Sequence, residues 1–308
     1  MTHSQADIRK GLWLGLLGIV IFAVTLPATR LAVGSPDAPQ MSGVFIAMGR
    51  AVLAAGLSAV FLLATRAPLP QRKDVWPLAI TAAGVVLGFP LFTSIAMRHV
   101  EAVHASVIVG VLPLATAAVG ALLHRQRPSS GFWLCAALGS ALVVAFAMLR
   151  SGAPGSGLSI QLADLLLLAA MLCAAVGYGY GARLSQQMRA EHVICWALVM
   201  TLPLTLPLAL VSWPAVPVRA SAWWGFAYVA VFSMWLGFFA WYRGLALGGT
   251  VRVSQVQLVQ PFLSMLFAVP LLGERLDAVT VGFGLAVIAT VFIGKKMPVH
   301  ALAVRKAA

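Results

Sequence analysis

The feature that most constrains this chain is a succession of ten apolar runs with almost no charge inside them. They span residues 11–31, 41–64, 75–97, 102–123, 131–149, 160–184, 193–211, 222–247, 251–272 and 278–293, separated by short breaks rich in Pro, Gly and charge. Each is close to the length that crosses a bilayer as a helix. In hydrocarbon no water satisfies the backbone amides, so runs of this kind are viable only as helices. The rest of the chain cannot support a soluble alternative. Of the 308 residues 61% are hydrophobic and 9% charged, against about 25% charged in a soluble domain. The sequence therefore predicts an all-α integral membrane protein of ten transmembrane helices. The first run follows Arg9 and Lys10 and has the look of a signal peptide, but nine further runs behind it favour a retained helix.

The net charge of +13 does not gather into a basic stripe, so nucleic acid is not an expected partner. The cations fall instead between the runs. With the amino terminus inside, fifteen Lys and Arg lie in cytoplasmic segments and five (Arg30, Arg98, Arg150, Arg219 and Arg275) on the opposite side. This positive-inside bias predicts a multi-pass membrane protein with both termini cytoplasmic. The remaining cation, Arg50, lies within the second run. Cys135, Cys173 and Cys195 sit in or at the edge of apolar runs; their odd number argues against a disulfide framework, and they read as small buried hydrophobes.

The two halves of the chain match each other. Residues 106–113 align without a gap on residues 254–261, an offset of 148 that also carries Gln126-Arg127 onto Glu274-Arg275. Thr29-Arg30-Leu31 closes the first run as Ala182-Arg183-Leu184 closes the sixth, and Ala96 and Ala246 close the third and eighth. A repeat of five helices, an odd number, enters the membrane inverted in its second copy. The expected units are residues 1–150 and 151–308, two inverted five-helix repeats able to exchange conformations as an alternating-access carrier.

This pattern resembles the drug/metabolite transporter superfamily, in its EamA branch. The stretch from Gln260-Pro261 through Leu272-Gly273-Glu274-Arg275 to Gly282 and Gly284 is similar to that family's pattern, while Gln126 stands where the family often has a Glu after the fourth span. Within the branch the chain looks most like bacterial amino-acid exporters of the YddG type. That resemblance implies export of aromatic and other bulky amino acids, and a recurrent Arg near Arg50.

Polar groups inside spans are costly and mark candidate sites. Ser254, Gln257, Gln260 or Pro261, and Ser264 recur at helical spacing on one face of the ninth run. Ser106, Pro113 and Thr116 make the mirror-image face of the fourth, with His104 near its outer end. These faces either bind a zwitterionic substrate or serve as polar glue between helices. Pro113 and Pro261 are expected to kink their helices and free carbonyls. Trp235, Phe238, Phe239 and Tyr242 form an aromatic stripe on the eighth run, with Trp235 and Phe239 as cavity candidates and helix packing as the alternative. Tyr178, in a Gly-Tyr-Gly-Tyr-Gly stretch, needs a partner for its hydroxyl. Arg50 either snorkels, pairs with a carbonyl or meets a substrate carboxylate.

No Asp or Glu lies centrally in a run, which favours facilitated diffusion; the remaining coupling candidates are His104 and Asp164, four residues into the sixth run. No nucleophile–base arrangement, metal-ligand spacing or phosphate-binding loop is apparent, so the expectation is no enzyme, no cofactor and no metal. A passive channel and a same-fold exporter of drugs or other metabolites are the competing readings. Phosphorylated cargo would call for several cations, and only Arg50 is at hand. The expected partners are a small-molecule substrate and the lipid bilayer, with a monomer as the default state.

Overall fold

A computed structural model describes residues 5–123, 126–150, 161–248, 253–297 and 299–301. Six helices in it are long and apolar enough to cross a membrane: Gln5–Val33, Gly43–Ala64, Arg72–Ala96, Leu162–Leu184, Ala190–Val211 and Ala220–Gly248. Shorter apolar stretches, Ala102–Thr116, Ser130–Val143, Gln260–Leu272 and Ala278–Thr290, occupy the places of the fourth, fifth, ninth and tenth runs. The helices are numbered first to tenth below in that chain order. The second, sixth and tenth begin where side chains satisfy the open amides of a first turn. Ser42 Oγ accepts from Phe45 N at 3.0 Å, Asp277 Oδ1 from Thr280 N at 2.8 Å, and Gln161 with Asp164 forms a reciprocal capping box. The ninth helix ends at Gly273, whose φ of +70° is left-handed.

Helix partners repeat a simple scheme. The first helix packs on the eighth, the third on the sixth, and the second, fourth and fifth on the seventh, ninth and tenth. Small residues let backbones approach where the first and eighth meet, as is usual in lipid, where packing and not water expulsion drives association. A Cβ on Gly11 would stand 2.5 Å from the backbone nitrogen of Gly248, and one on Gly244 would stand 2.7 Å from that of Gly15.

Among the described residues, five helices are irregular along their length. The third contains a π-helical segment at Ala82–Gly88 and the eighth another at Val229–Leu236. The fourth breaks at Gly110 and Val111, between Ala102–Val109 and Leu112–Leu123, just ahead of Pro113. The ninth opens as a 3₁₀ segment, Ser254–Val259, just ahead of Pro261. Pro113 and Pro261 thus follow the discontinuities they were expected to produce. The first helix breaks too, at Val24 ahead of Pro27.

Gln126–Pro128 and Val299–Ala301 pair as short antiparallel strands, with Gln126 opposite Ala301. Three residues carry too little alternation to announce a strand in sequence.

Candidate functional site

The interrupted helices converge on two small contiguous voids. The larger, about 20 Å³, is lined by residues that include Phe22, Thr25, Arg50, Phe89, Tyr178 and Phe238. The smaller, about 10 Å³, is lined by residues that include Ser106, Pro113, Gln257, Pro261 and Ser264. Leu26, Val109, Leu112 and Gln260 belong to both. Each has room for about one water molecule, so a substrate of amino-acid size enters only when the surrounding helices part.

The breaks in the helices place this lining. Below the turn at Val24 the first helix presents Thr25 and Leu26, and Thr25 Oγ1 lies 2.8 Å from Ser233 Oγ of the eighth helix's π segment. Ser264 Oγ donates to Ala23 O at 2.8 Å, using a carbonyl next to that same turn. Aromatic rings wall one side. Phe22 and Phe238 are edge-to-face with centroids 5.1 Å apart, and Tyr178 lies 6.0 Å from Phe238.

Arg50 is 1% exposed, and its Nε and Nη1 atoms have no hydrogen-bond partner. It neither snorkels nor meets a carbonyl with those two donors. Gln257 is also 1% exposed, and both ends of its amide are unpartnered. A buried polar group without partners is expensive, and here a cation and an amide carry that cost along one continuous lining.

Of the residues singled out in sequence, the structure brings together Arg50, Tyr178, Ser106, Gln257 and Gln260, with Pro113 and Pro261 beside them. Ser106 also donates to Ala102 O one turn back at 2.7 Å. Three expectations are corrected. Thr116 lines neither void; its hydroxyl is satisfied at 2.9 Å by Leu112 O on its own helix. Trp235 and Phe239 also stand off the voids, packed on each other and on Phe61 at 5.0–6.3 Å. The stripe reaches the voids through Phe238. The side chain of Ser254 lies outside the described residues. Sequence reasoning missed Phe22, Thr25, Phe89 and Ser233. Thr25 and Ser233 are polar residues inside spans, but so are Ser58, Thr93 and Thr205, and only packing separates the groups.

His104 and Asp164 form a second buried group. Nε2 of His104 is 2.7 Å from Asp164 Oδ1, with 8% and 2% of the two residues exposed. Asp164 Oδ2 also accepts from Gln161 N at 3.2 Å. The His104 ring lies 5.0 Å from that of Phe146, on the fifth helix. Nothing in the sequence hints that these residues, sixty positions apart, would meet. They join the fourth helix to the sixth at the end where Glu274 caps the fourth. Ala102 N and Val103 N each donate to one carboxylate oxygen of Glu274 at 2.8 Å. Burial pushes the Glu274 carboxyl above its ordinary range and Glu101 adds to this, against the pull of the two amides and of Arg30.

That same end holds a vestibule of about 670 Å³, lined by residues that include Arg30, Gln40, Glu101, Arg219, Glu274 and Arg275. Its loops are tied together. Arg30 donates to the carbonyls of Met97 and Arg98 at 2.6 Å, and Arg219 N donates to Gln40 Oε1 at 2.9 Å. At the other end Arg243 pairs with Glu191 at 3.0 Å. Among the described residues, no group of three or more His, Cys, Asp or Glu is placed to hold a metal ion.

Comparison with known proteins agrees with the fold. The model of the "EamA-like transporter family" matches residues 9–148 and 161–294. The chain is 42% identical over 286 residues to "Uncharacterized transporter YdeK" of Bacillus subtilis (strain 168), covering 92% of this chain and 96% of that protein. A solved structure known only as "Crystal structure of protein" superposes with a TM-score of 0.62 at 17% identity, over 92% of this chain and 96% of the other. At that identity the likeness speaks for the fold alone.

Proposed function

From its membership of the EamA-like transporter family, to which the chain belongs over both matched segments, we propose that this membrane transporter is an alternating-access carrier. It exports aromatic and other bulky apolar amino acids across the bacterial cytoplasmic membrane. In this reading all ten apolar helices cross the bilayer, and residues 1–150 and 151–308 are inverted halves of one carrier. Helix pairing supports the two halves. Exchanging the first five helices with the last five turns the first–eighth pair into the sixth–third pair and leaves the other pairs unchanged. The π segments support it as well, since Ala82–Gly88 displaced by the 148-residue offset falls on residues 230–236. Orientation follows the cation count. The loops of Arg30, Arg98, Arg219 and Glu274, assigned outside, meet each other, while Arg243 and Glu191, assigned inside, meet at the opposite end.

The observation that carries the substrate reading is Arg50, a buried cation with unused donors beside a wall of Phe22, Phe89, Tyr178 and Phe238. A guanidinium takes a carboxylate through charge-assisted, often bidentate bonds, and the rings receive an apolar side chain. Gln257 and Gln260 supply amide oxygens for the ammonium group. A passive channel has no need of paired halves or of voids this small.

The test is uptake of a labelled amino-acid panel by proteoliposomes holding the purified protein, with and without a pH gradient. Saturable phenylalanine uptake, accelerated by unlabelled phenylalanine inside, is expected; uptake of no amino acid overturns the substrate reading, and linear uptake without acceleration overturns the carrier. The gradient is expected to drive no accumulation, because His104 and Asp164 stand apart from the void lining. Accumulation driven by the gradient would make that pair the coupling group.

A further inference from the structure

The charges around the voids carry the substrate class further than the family does. Among the described residues, Arg50 is the one cation in the lining of the two voids, and that lining contains no acid. Nor is an acid available from elsewhere in the sequence. The eight carboxylate side chains are Asp7, Asp37, Asp74, Glu101, Asp164, Glu191, Glu274 and Asp277, and every one lies in a loop or within four residues of the start of a helix. Asp164 is engaged by His104, Glu191 by Arg243, and Glu274 by the first turn of the fourth helix. The centre therefore holds one uncompensated positive charge.

The sign of that charge ranks the ligands. A buried ion without a counter-ion bears a desolvation cost that a well-placed partner offsets. A monocarboxylate bound at Arg50 leaves the centre neutral. A zwitterionic amino acid brings the same carboxylate together with an ammonium group that meets amides and hydroxyls but no anion, so the loaded centre stays positive. An amine without a carboxylate adds a second positive charge. We propose that the required element of the substrate is its carboxylate and that the α-amino group is tolerated but not needed: the carrier takes bulky apolar monocarboxylates, such as 2-oxo and 2-hydroxy acids with aromatic or branched side chains. Arg50 is the residue that selects them. This rests on the reading that the voids between the helices are the transport site.

Arg50 also predicts its own stability signature. Removing an unpaired buried charge relieves its cost, so Arg50→Gln should unfold at the same temperature as the native protein or higher. A structural arginine would do the opposite.

The experiment measures counterflow of labelled phenylpyruvate and labelled phenylalanine in proteoliposomes, with phenethylamine as competitor, for the native protein, Arg50→Lys and Arg50→Gln, alongside thermal unfolding in detergent. Phenylpyruvate is expected to half-saturate uptake at a concentration about tenfold below phenylalanine, and phenethylamine to compete with neither. Arg50→Gln is expected to lose phenylpyruvate uptake without loss of thermal stability, and Arg50→Lys to retain part of it. The proposal is overturned if phenylpyruvate is excluded, if phenethylamine competes as well as the acids, or if Arg50→Gln leaves uptake of both acids unchanged. Phenylalanine uptake with phenylpyruvate excluded would spare the amino-acid reading and sink this one. Phenylpyruvate uptake with phenylalanine excluded would do the reverse.

Discussion

Glu274 illustrates how single side chains are used in this protein. The fourth helix begins without a capping side chain of its own, since Glu101 makes no cap bond, and Glu274 supplies acceptors for Ala102 N and Val103 N from 172 and 171 residues away. Replacing it with Ala should cost about 1–2 kcal/mol, the usual worth of a helix cap, read as a lower unfolding temperature in detergent. Its pH dependence has a defined sign. Burial raises the folded-state pKa above the ordinary 4.5. The stability tied to the protonated group is then fully present below that ordinary value and is lost as pH rises through the folded value. The advantage of the native protein over Glu274→Gln should accordingly shrink as pH rises from the ordinary 4.5 through the raised folded value; an advantage that grew would show that the amides and Arg30 outweigh burial. The sequence marked Glu274 through its place in the repeat, but gave no sign of which amides it would reach.

At the scale of elements, the discontinuities were only half legible. Pro113 and Pro261 announced the breaks in the fourth and ninth helices, because a ring in place of an N–H must disturb the ladder behind it. The π segments had no such marker. Ala82–Gly88 reads AAGVVLG and Val229–Leu236 reads VAVFSMWL, sequences equally at home in an ordinary α-helix. A π turn carries one extra residue, and removing it should restore α geometry while the helix beyond keeps nearly its original facing, because the wide turn had absorbed that residue. Deletion of Leu87, which is only half-buried, should therefore leave an inserted helix whose two halves still meet the sixth helix but whose middle has lost the wide turn. The expected outcome is a protein that still purifies as a folded monodisperse species but shows no counterflow. Full counterflow in the deletion variant would deny the segment a part in transport.

At the scale of the whole molecule, exchanging the first five helices with the last five leaves the pattern of helix pairs unchanged. Orientation can be tested directly. In a variant with Cys135, Cys173 and Cys195 replaced by Ala, a cysteine at Asp37 should react with a membrane-impermeant maleimide in intact cells. A cysteine at Arg72 should react only after the cells are broken. Labelling at Arg72 in intact cells would reverse the assignment of inside and outside.

The sequence by itself determined where the apolar helices lie, since hydropathy acts on each segment separately against the bilayer and needs no knowledge of neighbours. It also singled out Arg50, Tyr178, Gln257 and Gln260, because a polar group inside an apolar run is conspicuous wherever it ends up. Only the tertiary structure decided that these four share a lining, that Phe238 and not Trp235 or Phe239 completes it, and that His104 finds Asp164. In lipid every apolar face is equally content, so the choice among faces rests on close packing between helices, a property of two surfaces together that neither segment expresses alone.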